Sequence, residues 1–150
     1  MQPAKLFAGL AIAFSICAGL AQLFLAPSAD IGVRGHYFAF GPMLVPLFCA
    51  VTNANFAVLY YAAVRVFHAQ WNHKLSLLHF SLAVCFGISG SLVFPGLTRA
   101  AHATNQVAAV NWFFIPLLLG ILSFAASFFV FLVNLMLLTA QIVRARFATR

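Results

Sequence analysis

The sequence is nearly empty of carboxylates. One acidic side chain, Asp30, stands against eight Lys and Arg in 150 residues. Paired-carboxylate hydrolysis and an oxygen-rich calcium cage both need more acids than that, so both are excluded. Charge of either sign is scarce: 6% of residues are charged, 65% are hydrophobic and the mean hydropathy is +1.06. A water-soluble domain of this size would need far more polar surface, so the solvent is mostly lipid and the chain reads as an integral membrane protein. No HExxH, phosphate loop or nucleophile elbow occurs, and no CxxC pair. Cys17, Cys49 and Cys85 each fall near the middle of an apolar run. They read as small buried apolar residues, since a soft-metal site would need all three sulfurs to converge. The formal charge of +7 does not indicate nucleic acid, because the cations are dispersed and no basic face interleaved with aromatics exists.

What is present is a succession of hydrophobic runs, and four spans of about 20 to 25 residues use most of the chain. The first is expected from about Leu6 to Ala26. It reads as a retained helix rather than a signal peptide, because the run is long and Pro27 spoils the cleavage site. Ala11, Ser15 and Gly19 form a small-residue stripe on it. A short loop with Asp30 and Arg34 precedes a second span, predicted from about His36 to Val66 and kinked near Pro42 and Pro46. A loop with His68, Trp71 and His73 leads to a third span from about Leu75 to Leu97, ending near Pro95. The final run, Val107 to Val143, is longer than a bilayer needs. The sequence predicts an interfacial segment up to Ile115, a bend at Pro116 and a span proper from about Leu117 to Thr139. The phenylalanines of that run are read as lipid and packing contacts.

Four spans put both termini and the middle loop on one side. Lys5, Arg65, Lys74, Arg144, Arg146 and Arg150 fall there, against Arg34 and Arg99 on the other side. Lys and Arg accumulate on the cytoplasmic face, so the termini are expected to be cytoplasmic, in a bacterial inner membrane.

Polar side chains inside the spans are the candidates for function. Asn53 and Asn55 lie in the middle of span two, and amides at that depth need partners, so both are expected to face protein as packing or pathway residues. His79 is expected about one turn inside span three, in the same role. The five histidines sort by side: His36 and His102 together on the outer face, and His68, His73 and His79 together on the inner one. His36 and His79 are then roughly 20 to 30 Å apart across the core and cannot share one cofactor.

The order Gly35-His36-Tyr37-Phe38, Tyr60-Tyr61, Leu78-His79-Phe80, Gly87 and Phe94-Pro95 resembles the last three helices of haem–copper (cytochrome c) oxidase subunit I. The likeness is nearest to short, four-helix relatives of that subunit and covers residues 20 to 143. In that family a His-x-His pair opens a helix at the outer face and binds haem. The resemblance therefore implies a haem or metal ligand at His36. The second histidine of the pair is Phe38 here, so at most one cofactor is implied, with His102 as the candidate second ligand. The copper-ligating helices and the cross-linked tyrosine have no counterpart, so no complete oxygen-reducing centre is implied.

The expectation is an all-α, antiparallel four-helix transmembrane bundle in a lipid bilayer. Two readings compete for its function. One is a haem–copper-oxidase-like protein, haem-associated or an accessory of a respiratory electron-transfer complex. The other is a non-catalytic helical subunit, or a small transporter-like protein, without a cofactor and in contact with other membrane subunits.

Overall fold

The computed structural model describes the backbone of residues 2–24, 29–33, 36–40, 43–68, 70–102 and 106–148. Side chains are described for most of these, but not for residues 24–42 or 94–113. Four helices, α1 (Pro3–Phe24), α2 (Leu44–Phe67), α3 (His73–His102) and α4 (Gln106–Ala148), dominate the chain. A two-stranded hairpin, β1 (Ala29–Val33) and β2 (His36–Phe40), joins α1 to α2. All four helices are long and apolar enough to cross a membrane.

The hairpin corrects the expected start of span two. His36 pairs with Val33 and Phe40 with Ala29 in an antiparallel register, so His36 opens a strand and not a helix. The sequence explains this. His-Tyr-Phe-Ala-Phe is rich in aromatics that suit a strand. Gly41-Pro42 then disfavours helix on its N-terminal side. Pro46 falls in the first turn of α2, where its missing N–H has no helical partner to lose. The expected kink is therefore a helix start.

Two further boundaries differ. α3 continues through Pro95 to His102, and α4 is one 43-residue helix with Pro116 inside it, not an interfacial piece and a span. Proline is tolerated within membrane helices because neighbouring groups can satisfy the freed carbonyl. At 1.5 Å per residue α4 is about 65 Å long, more than the bilayer core requires.

The helices meet along faces that each present one ring or small residue per turn. On α1 the buried positions are Phe7, Ala11, Phe14 and Ala18, spaced four, three and four apart as one helical face requires. The expected stripe overlaps that face only at Ala11. Ser15 is exposed and turns its hydroxyl back to the Ala11 carbonyl, and a side chain at Gly19 would meet open space. Contacts between successive helices run in opposite chain directions. Phe7 stacks on Tyr60 while Phe14 groups with Cys49. Tyr60 meets His79 while Phe48 meets Phe86. Ser76 bonds Asn134 while Phe86 packs on Phe124.

α2 ends at His68, which takes the left-handed conformation at φ 51° and donates its N–H to the Val64 carbonyl 3.0 Å away. That is an αL cap.

Candidate functional site

Near the chain-terminal end of the bundle the helices converge on a sealed cluster of rings and polar groups. Phe7 of α1, Phe56 and Tyr60 of α2 and Phe131 of α4 surround His79 of α3. The imidazole is fully buried, with its ring centre 4.6 Å from that of Phe7 and 4.4 Å from that of Phe56, edge-to-face with the latter. Trp71, in the short connection before α3, closes the cluster. It packs 4.5 Å from the Tyr60 ring and donates its indole N–H to the Tyr60 carbonyl at 3.1 Å. Trp71 is thus half-buried in the protein.

Polar groups thread this aromatic shell. The Asn72 backbone N–H donates to Asn134 Oδ1 at 3.2 Å. A backbone N–H can only donate, so this contact fixes which way the Asn134 amide points. Its Nδ2 then donates to Ser76 Oγ at 3.0 Å and to the Tyr60 hydroxyl at 3.4 Å. The Tyr60 hydroxyl lies 3.0 Å from His79 Nδ1. Two tautomers satisfy that last bond: the hydroxyl donates to a bare Nδ1, or Nδ1–H donates to the hydroxyl oxygen. In both, His79 Nε2 is buried and lacks a hydrogen-bond partner. It is an orphan N–H in the first case and a free lone pair in the second. The whole chain of bonds ties α2, α3, α4 and the α2–α3 connection together inside a bundle of helices apolar enough to cross a membrane, and polar groups inside such a bundle need partners of this kind.

The expected site residues distribute unevenly around this cluster. His79 is at its centre. Asn53 is buried, 1% exposed, but its amide turns back to the Cys49 carbonyl of its own helix at 2.7 Å, and its Oδ1 has no partner. Asn55 is exposed, correcting the expectation that both amides face protein. Two helical residues two apart point about 200° from each other, so one amide inside puts the other outside. His36 opens β2 and His102 ends α3. Their side chains lie outside the described residues, while β1 of the hairpin lies against α3. Cys49 is buried and Cys17 and Cys85 are exposed, so the three sulfurs do not converge. Among the described residues no three His, Cys, Asp or Glu side chains gather.

Tyr60, Ser76, Trp71, Asn72 and Asn134 were not legible as a site from the pattern of runs. Two signals pointed to them. Asn134 is the one carboxamide between Asn111 and Gln141, deep in an apolar run, and such a group must find a partner. Ser76 and His79 are three residues apart and share a helix face.

The Asn53 carboxamide gives a first expected result. Its Oδ1 is a buried acceptor without a donor, so Asn53→Leu removes an unsatisfied group while keeping the same branched heavy-atom skeleton. Folding stability in detergent should stay within about 1 kcal/mol of the parent, or rise. A larger loss in chemical or thermal unfolding would mean that Asn53 holds the bundle together by a bond to another helix.

At the far end of the bundle an apolar cleft of about 350 Å³ is lined by Leu44, Phe48, Phe86, Gly90, Gly120 and their neighbours. It presents no polar group that could carry chemistry. No family model, curated protein or solved structure matches the chain.

Proposed function

We propose that this chain is a non-catalytic, multi-pass subunit of a membrane complex. It lies as an antiparallel four-helix bundle in a bacterial inner membrane with both termini cytoplasmic. The observation that carries this reading is the bonding of Tyr60, Ser76, His79 and Asn134 to one another. Polar side chains lining a transport path keep bonding capacity open toward that path. Here His79 Nε2 is the one buried side-chain polar atom of these four described residues without a hydrogen-bond partner, and the others lock three helices together. The opposed contact directions of successive helices support the antiparallel arrangement, and the six-to-two division of cations supports the orientation. Labelling of a Thr149→Cys protein from outside intact cells would overturn that orientation.

One observation favours the haem-associated reading as the alternative. A buried imidazole with an open Nε2 is the form in which histidine binds haem iron or a metal. His36 and His102, the ligand pair that the resemblance to haem–copper oxidase subunit I implies, belong to the same alternative.

The visible absorption spectrum of protein purified from haem-replete cells decides between the two. The subunit reading expects no Soret band in the parent, His36→Ala or His79→Ala proteins. A parent band lost only in His36→Ala would establish the oxidase-like reading at the hairpin. One lost only in His79→Ala would move the ligand into the aromatic cluster.

A further inference from the structure

A second cavity, about 280 Å³, opens between the start of α1 and the end of α2, lined by Gln2, Pro3, Tyr60, Tyr61, Arg65 and His68 among others. Its composition is amphipathic. Arg65 and His68 stand at the level where α2 ends, and Tyr60, Tyr61 and Val64 line the part further along α2.

Among the described residues no acidic side chain answers the cation in this cavity. The sequence holds one acidic side chain, Asp30, and β1 carries it between the other ends of α1 and α2. α1 has 22 residues, so about 33 Å of helix separates the two ends. Asp30 therefore cannot reach Arg65. A guanidinium at the edge of a low-dielectric layer is stabilised by an anion held against its planar fork of N–H donors, and a phosphate diester matches that fork. The same end of the molecule carries Lys5 and Lys74, both exposed, which draw anions to that face.

From this arrangement we propose that the cavity between α1 and α2 is a binding site for the headgroup of an anionic phospholipid, with Arg65 holding its phosphate. Tyr61, 62% exposed, supplies a hydroxyl at headgroup level, and its ring and Val64 receive the first segment of the acyl chains. Free phosphate shares the same chemistry, but a cavity walled by membrane-spanning helices and open at their ends is reached directly from the leaflet. The inference rests on the chain being membrane-embedded. It holds whether or not the protein is a subunit of a larger complex.

Trp71 is a built-in reporter, because it packs on Tyr60, which lines the cavity. In a Trp112→Phe protein it is the remaining tryptophan. The experiment reconstitutes that protein in phosphatidylcholine vesicles containing a minor fraction of phosphatidylglycerol brominated close to the headgroup, and reads quenching of Trp71. Quenching should exceed that from the same fraction of brominated phosphatidylcholine. Arg65→Gln should weaken this preference about tenfold, the scale of losing a charge-assisted hydrogen bond. Lys74→Gln changes a cation at the same end that does not line the cavity, and should leave the preference in place. Equal quenching by the two lipids would overturn the proposal, as would a preference that survives Arg65→Gln. Relief of quenching by millimolar inorganic phosphate at constant ionic strength would also overturn it, in favour of a free anion. None of these outcomes depends on a Soret band, so failure here is distinct from failure of the subunit reading.

Discussion

His79→Ala is expected to cost about 3 kcal/mol of bundle stability, the scale for removing a large, fully buried side chain. The ring is enclosed by Phe7, Phe56 and Phe131, so its loss leaves a cavity that four helices must share. It also strips the Tyr60 hydroxyl of its bond to Nδ1. His79→Phe separates the two effects, since it keeps a ring of similar size and removes only the polar contact. Hydrogen bonds between membrane helices average about 0.6 kcal/mol and reach about 1.7, so His79→Phe should cost less than half as much. Adding Tyr60→Phe removes the other partner of the broken bond. The double variant should therefore lose less than the sum of the two single ones. Unfolding in mixed detergent micelles measures these four variants against the parent. Equal losses for His79→Ala and His79→Phe would show that the polar network, and not the packing of the ring, dominates.

The second large effect is steric. A methyl group at Gly87 would fall on the Phe14 ring, overlapping Cζ and coming within 2.6 and 2.7 Å of the two Cε atoms. Phe14 is buried and groups with Cys49 and Ala50, so its ring is hemmed in by α2 and has little room to turn away. Gly87→Ala must then push α1 away from α3, at about 1–3 kcal/mol, the usual cost of overpacking a core. Pairing it with Phe14→Leu should recover a large part of the loss by vacating the space that the methyl needs. Gly9→Ala and Gly19→Ala are the controls. A methyl at either meets nothing within 4 Å, and both positions should gain from the higher helix propensity of alanine, by up to about 1 kcal/mol. If Gly87→Ala proves as harmless as these two, the close approach of α1 and α3 at that level is wrong.

How far the sequence alone could lead varies from element to element. Four apolar runs are a property of composition over some twenty residues at a time, and lipid as solvent demands helices for them. The existence of α1 to α4 is therefore legible in the sequence itself. Boundaries at proline were less legible. The same ring starts a helix at Pro46, where the first turn has no bond to lose, and is carried inside the long apolar α4 at Pro116. The strand at His36 was hidden because residues 36–66 form an almost unbroken apolar stretch, in which helix and short strand cannot be told apart by hydropathy.

The candidate site divides along a different line. That His79 and Asn53 would need partners follows from the sequence, because an imidazole or amide inside a long apolar run has little water to bond. Which partner each finds was decided by the tertiary structure. Asn53 turns to its own helix, whereas Asn134 reaches Ser76, Tyr60 and the Asn72 backbone from 58, 74 and 62 residues away in sequence. Such contacts depend on how each helix is rotated about its axis. In a chain that is apolar on nearly every face, hydropathy carries little information about that rotation. The rotation is set by where rings such as Phe7 and Phe14 find space beside small residues such as Ala83 and Gly87 on another helix, which is a property of pairs of helices and not of any one segment.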